Sequence, residues 1–282
     1  MKISFLNITI CFFGIFLTVS CVDLLVPEPD EPTRNNPFDA GGSSFQSPTI
    51  TADTEINTFG EFTISWTGGP SQISDELEYR YSFLDETTEW SADLTGYSGI
   101  LPNDEYTFTI EARYSSLPNE PNANTEHPEN FTVSTAPSTT DVVLYPRQIN
   151  LSPGDTFSFE SVALNITDLY GVNLVMEYDS TAFEVIEIGK SFRNVFDRQG
   201  IESSEVDSVY RDSEEIEFVQ VMLDNSPAGI NGFGYFSGVE LRVLEDASSG
   251  TYEVRFSDNT DLRNTENESI LEGTRGIEIT VN

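Results

Sequence analysis

The stretch Gly171-Val-Asn-Leu-Val-Met-Glu-Tyr-Asp179, with Phe183-Glu-Val-Ile-Glu-Ile188 after it, decides how this chain folds. Val172, Leu174, Met176 and Tyr178 share one side of a period-two pattern, while Asn173, Val175 and Glu177 share the other. That is the pattern of a strand with one buried face. Asp179-Ser-Thr181 supplies turn chemistry, so the two runs read as strands joined by a short connection. Downstream, Glu215-Ile-Glu-Phe-Val-Gln-Val-Met-Leu223 repeats the alternation, with Ile216, Phe218, Gln220 and Met222 on one side and Glu217, Val219, Val221 and Leu223 on the other. Gln220 sits among apolar residues, so it either finds a partner inside or marks the strand leaving the core.

Outward from this centre, residues 142–145, 148–151, 156–162, 235–244, 249–256 and 276–281 also read as strands, with turns at Pro146 and Ser152-Pro-Gly-Asp155. Residues 190–214 are polar around Phe192, Val195 and Phe196, and read as an ordered loop with a short pairing segment near Val209-Tyr210. About nine strands with almost no helix predict a two-sheet sandwich over 142–282. A second, smaller sandwich is expected over 46–136, where Phe62, Ile64 and Trp66 alternate, then Leu77, Tyr79, Tyr81 and Phe83, then Tyr106, Phe108, Ile110 and Ala112. Its turns fall at Gly68-Gly69-Pro70 and Pro102-Asn-Asp104. Residues 137–141 form a polar hinge between the two units. The fold class is therefore all-β, with two sandwich domains.

Two resemblances sharpen this reading. A strand ending in Tyr178-Asp179 followed by Phe183-Glu-Val-Ile186, together with an opening strand, a Pro-Gly-Asp turn and a second strand, resembles the cohesin family across 142–282. Leu101-Pro-Asn-Asp-Glu-Tyr106-Thr-Phe-Thr-Ile110-Glu-Ala112-Arg resembles the corner and penultimate strand of fibronectin type III domains, which implies that the Tyr106 hydroxyl closes the corner on nearby backbone. The cohesin resemblance implies a flattened jelly-roll and a sheet face that receives a dockerin, a paired-helix calcium module usually carried by a polysaccharide-degrading enzyme. On this chain that face would carry Asn173, Val175, Glu177, Glu217, Val219, Val221 and Leu223, an apolar strip rimmed by acids. Cohesins often have an Asn-x-Asp pair along the central strand. Gly171-Val-Asn173 stands there instead, so an amide replaces the acid and glycine the amide.

The N-terminus reads as a targeting segment. Lys2, the apolar run Ile3 to Leu17 and Val19-Ser20-Cys21 have the layout of an export signal over 1–20, and small residues ahead of Cys21 resemble a lipoprotein acylation site. An ordinary signal peptide or an uncleaved anchor is the alternative. Acylation of Cys21 would be the only attachment to a membrane. Residues 21–45, rich in Pro, Gly and acids without apolar period, read as an extended tether, reaching up to about 3 Å per residue. Together these features predict a cell-envelope protein, on an outer membrane or cell surface.

Composition narrows the chemistry. Thirteen Lys and Arg against 48 Asp and Glu give a net charge of −35, which argues against nucleic acid and against anionic lipid as partners, since both are bound through basic side chains. The two cysteines, Cys11 and Cys21, lie in or at the end of the signal, so no disulfide or thiolate metal site is expected. His127 is the one histidine, read as a surface loop residue, which leaves neither an imidazole relay nor a zinc site. Carboxylate pairs are too abundant to be informative, and two small sandwiches leave little sequence for a cleft, so the chain is read as no enzyme, with no resident cofactor. The acidic loop from Asp258 to Glu268 admits calcium at Asp258 and Asp261, or is simply a turn. Direct polysaccharide binding is the second functional reading, through Trp90 or through Tyr145, Tyr170, Tyr210, Tyr235 and Tyr252. A purely structural envelope role is the third.

Overall fold

The computed structural model describes residues 46–69, 76–84, 86–119, 123–223 and 228–282. The expected signal over 1–20, Cys21, the tether over 21–45, and Pro70 of an expected turn lie outside the described residues. No helix among the described residues is long and apolar enough to cross a membrane.

The first sandwich is built from β1 (Thr49–Ile56), β2 (Glu61–Gly69), β3 (Leu77–Phe83), β4 (Glu86–Thr87), β5 (Gly96–Ile100), β6 (Asp104–Tyr114) and β7 (Asn124–Val133). One layer runs β1–β2–β5 and the other β4–β3–β6–β7. Alternation puts Phe62, Ile64 and Trp66 of β2 and Phe108, Ile110 and Ala112 of β6 into the space between them. Aromatic rings fill it: Phe62 stacks on Phe131 with centroids 5.1 Å apart, and Tyr81 meets Phe108 at 4.9 Å. The Tyr106 hydroxyl donates to the Pro102 carbonyl at 3.0 Å, closing the corner four residues back, and burial pushes its phenol up to about 12. His127 lies within β7, facing Glu129 at 3.4 Å, rather than in a loop. Trp90 sits at the rim beneath two guanidiniums, Arg80 at 4.7 Å and Arg113 at 4.2 Å from its ring.

The second sandwich contains β8 (Asp141–Tyr145), β9 (Gln148–Leu151), β10 (Thr156–Glu177), β11 (Phe183–Lys190), the one-turn α1 (Val195–Arg198), β12 (Ser203–Tyr210), β13 (Glu215–Met222), β14 (Ile230–Val243), β15 (Gly250–Phe256), β16 (Asp261–Asn264), β17 (Gly273–Arg275) and β18 (Ile277–Val281). β10 organises it. The runs expected as separate strands at 156–162 and after 171 are one continuous strand of 22 residues. Its first half pairs with β14 on one edge and β8 on the other. Its second half pairs with β13 on one edge and with β16 and β15 on the other. Register shifts between Glu160 and Leu169 mark the passage from one layer to the other, where Asn165 and Asp168 take positive φ. Bulges bend a strand and increase its twist, which lets a single chain segment belong to two layers. The layers are thus β11–β14–β10–β8–β17 and β12–β13–β10–β16/β15–β18–β9. Phe157, Phe159, Leu174, Met176, Phe218, Phe236, Leu241 and Val254 are buried between them.

Eleven strands among the described residues exceed the nine expected. The additions are β12, with polar residues on both sides, and the short β16 and β17, the first of these two lying within the acidic loop, while the fusion of two expected strands into β10 removes one. Residues 190–214, expected as a loop with a short pairing segment near Val209-Tyr210, hold α1 and β12, in which that segment is the end of an eight-residue strand.

The two sandwiches share a core. Val143, Val162, Leu164 and Tyr235, on the outer face of the first layer of the second sandwich, join the cluster formed by Phe62, Ile100 and Phe131 of the first. Arg193 is buried at this boundary, 7% exposed. It is paired with Glu160, donates to the Tyr97 hydroxyl and the Ser98 carbonyl, each at 3.4 Å, and lies 4.0 Å from the Tyr235 ring centroid. Burial by itself disfavours the charged guanidinium, yet the Tyr235 phenol and the bonded Glu160 carboxylate more than offset it and hold Arg193 above the ordinary arginine range. The expected hinge is clasped from both sides. Asn103 exchanges two hydrogen bonds with Ala136, and the Asn165 amide donates to the carbonyls of Pro137 and Thr139.

Candidate functional site

The outer face of the second layer is formed by β12, β13, the second half of β10 and β16. Residues directly opposite across antiparallel strands share a face, so the register lays out its rows. Val206, Val219, Asn173 and Asp261 form one, and Ser204, Val221, Gly171 and Arg263 the next. Ser208, Glu217 and Val175 form a third, and Tyr210, Glu215, Glu177 and Arg255 a fourth.

β13 keeps its inward face buried along its length because Gln220 finds its partners inside. It is fully buried; its Nε2 donates to Ser203 Oγ at 2.8 Å, and its Oε1 accepts from Asn194 Nδ2, also at 2.8 Å. Asn194 in turn caps α1 by accepting from the Phe196 N–H at 3.0 Å. Every polar atom of the Gln220 amide is therefore satisfied, which removes the cost of burying it. The same network ties the start of β12 to β13.

Of the seven residues expected on this face, most are found there. Val219 and Val221 are half-buried and Leu223 is 55% exposed. Glu217 accepts from the Tyr210 hydroxyl at 2.8 Å, and Glu177 is paired with Arg255 at 2.7 Å. That carboxylate raises the Arg255 guanidinium above its usual value. Asn173 donates to the Asn259 carbonyl at 2.9 Å. Val175 is the correction. It points outward and joins no core cluster, yet it is only 6% exposed. The Thr260 hydroxyl bonds both its N–H and its carbonyl, and Ser257 N–H also donates to that carbonyl, so the turn at 257–260 lies against it. Val175 is therefore not open to a partner.

Val206 and Tyr210 were missed. Val206, 59% exposed beside Val219, extends the apolar strip across a second strand, and Tyr210 ends the row of acids. The signal in Ser203-Ser-Glu-Val-Asp-Ser-Val-Tyr210 is faint because an edge strand carries polar residues on both sides.

The calcium candidate does not assemble. Asp261 is taken up by Arg263 at 2.7 Å and by the Ser269 hydroxyl at 2.6 Å. Among the described residues no three His, Cys, Asp or Glu side chains converge. The other candidate tyrosines are largely engaged: Tyr235 is buried at the domain boundary and Tyr252 packs edge-on against Phe183.

The family model described as "Cohesin domain" matches residues 147–281. This segment is a cohesin domain. Solved structures similar to the chain include the cohesins of two type I cohesin–dockerin complexes from Clostridium thermocellum. One is 17% identical with a TM-score of 0.41, covering 51% of this chain and 100% of that one. The other is 19% identical with a TM-score of 0.41, covering 54% and 100%. A non-cellulosomal cohesin from the archaeon Archaeoglobus fulgidus is 14% identical with a TM-score of 0.40, covering 51% and 92%. No curated protein matches. The matched segment runs from just after β8 to the end of β18, and the outer face described above lies wholly inside it.

Proposed function

We propose that this protein is a non-catalytic receptor of the cell envelope that captures a dockerin-type module on the outer face of its cohesin domain. The observation that carries the reading is the open apolar strip of Val206, Val219, Val221 and Leu223, set in a rim of Glu177, Glu215 and Glu217, on a domain of the family whose members receive dockerins. An apolar centre with a charged rim is the anatomy of a protein partner site. The dockerin belongs to a polysaccharide-degrading enzyme, and acylated Cys21 followed by the tether over 21–45 holds the receptor at an outer membrane or cell surface. The first sandwich, whose strand order β1–β2–β5 over β4–β3–β6–β7 and Tyr106 corner support a fibronectin type III-like module, serves as a spacer.

The test is to titrate the protein lacking residues 1–20 against every dockerin-bearing protein of the same genome by calorimetry, with and without a calcium chelator, because the dockerin rather than the cohesin holds the calcium. Saturable, chelator-sensitive binding supports the reading. A full panel without a binder ends it.

A further inference from the structure

The other outer face, on the β11–β14–β10–β8 layer, is covered by the first sandwich only in part. Beyond Arg193 it holds an open groove of about 410 Å³. The floor of this groove is bare backbone, because Gly189 and Gly238 stand directly opposite each other on β11 and β14. Neither glycine has positive φ. A Cβ on Gly189 would meet nothing within 4 Å, and one on Gly238 would meet only the Ser191 Cα at 4.0 Å. Glycine inside a strand weakens it and marks a place where a ligand or another backbone comes close. Among the described residues only the Ser191 backbone, beside Gly238, reaches the edge of contact with either position.

The walls point the same way. Phe192, on one side, is 89% exposed, more than any other large apolar side chain described. Tyr145, on β8, borders the far end of the groove, separated from Gly238 by Glu160 of β10, and packs in part on the first sandwich. One row along, Glu187 and Glu240 face each other across the same two strands. Neither carboxylate has an ion pair or hydrogen bond among the described residues. Like charges in that position are unfavourable to the sheet, so fold stability does not explain them.

A flat peptide floor beside an exposed aromatic ring receives the apolar face of a sugar ring, and two carboxylates offer only acceptors to whatever donors lie along that ring's edge. A pyranose has both features: a C–H face and a rim of hydroxyl donors. The acids and the net charge of −35 repel uronic acids and sulfated sugars. A bare cation would make no use of the floor or the walls.

We infer that this groove binds a neutral pyranose oligosaccharide, one ring stacked on the Gly189–Gly238 floor beside Phe192, with its hydroxyls donating to Glu187 and Glu240. The site is on the layer opposite the docking face and does not depend on it.

The test is calorimetry of the full chain with cellohexaose, xylohexaose, mannohexaose and maltohexaose at up to millimolar concentration, beside Gly189→Val, Gly238→Val and Phe192→Ala. At least one hexaose binds, and each variant weakens that binding about tenfold or more. The valine variants melt no lower than the parent protein, since the space they fill is empty and valine suits a strand. Phe192→Ala also leaves the melt unchanged, because it removes an exposed ring. The inference is overturned if none of the four sugars binds, if binding survives both glycine substitutions, or if an arginine hexapeptide binds the groove and the sugars do not.

Discussion

The two outer faces of the cohesin domain share the strand β10, yet one has become partly interior and the other has stayed open. On the first, Val162 and Leu164 lie under the first sandwich, and a buried Arg193–Glu160 pair bridges the boundary. On the second, Val219, Val221 and Leu223 meet solvent beside Val206. Both faces carry branched apolar residues on alternating positions, so alternation alone does not separate them. What separates them is the preceding domain, clasped by Asn103 and Asn165, which covers one face and leaves the other free.

Removing the buried charge on the covered face is the severest way to break this contrast. Arg193→Ala leaves Glu160 without its cation, and losing one member of a buried pair costs about 3–5 kcal/mol. Chemical denaturation should register that loss, and protease should gain access to residues 136–141 as the sandwiches separate. Nearly as large is the difference between the same truncation on the two faces. Leu164→Ala opens a cavity at the domain boundary and costs about 2–5 kcal/mol, whereas Leu223→Ala changes stability by no more than about 0.5 kcal/mol. Equal losses in the two melts would erase the distinction between the faces.

Val219→Asp sharpens the comparison from the open side. It should leave the melt almost unchanged and weaken dockerin capture by about 2 kcal/mol, as expected at the centre of a partner site. Val175→Ala, against the turn at 257–260, should affect stability more than capture.

The smallest effect comes from Tyr235, whose hydroxyl accepts from the Ile100 N–H at 3.3 Å across the boundary. Tyr235→Phe costs about 1 kcal/mol near neutral pH. Burial raises the Tyr235 phenol above the usual 10.0, so the folded chain holds this proton more tightly than the unfolded one. The resulting stability is complete below that usual value and is lost as pH climbs through the raised folded value. Denaturation midpoints measured from neutral to strongly alkaline pH should therefore fall less steeply for Tyr235→Phe than for the parent protein.

Much of the open face was legible because a strand with one buried side writes its period into the sequence. Ile216, Phe218 and Met222 go inward, and Val219, Val221 and Leu223 go outward by the same count. Gln220 looked like a fault in that pattern, and Asn194 and Ser203, which resolve it, are distant in sequence. Val206 escaped notice because β12 is an edge strand with little apolar contrast, and Val175 was misplaced because a turn more than 80 residues downstream lies on it. The continuity of β10 was hidden by its bulges, where the alternation skips and one strand looks like two.

By itself the sequence determined the all-β class, the two sandwiches, the cohesin resemblance and the direction in which most strand side chains point, because each of these is set by local alternation and turn chemistry. Only the tertiary structure decided which outward faces are covered, that the polar hinge is held by two asparagines, and that two glycines and an exposed phenylalanine come together around a groove. Those outcomes depend on contacts between segments far apart along the chain. A period of two residues carries no information about what packs on the far side of a sheet.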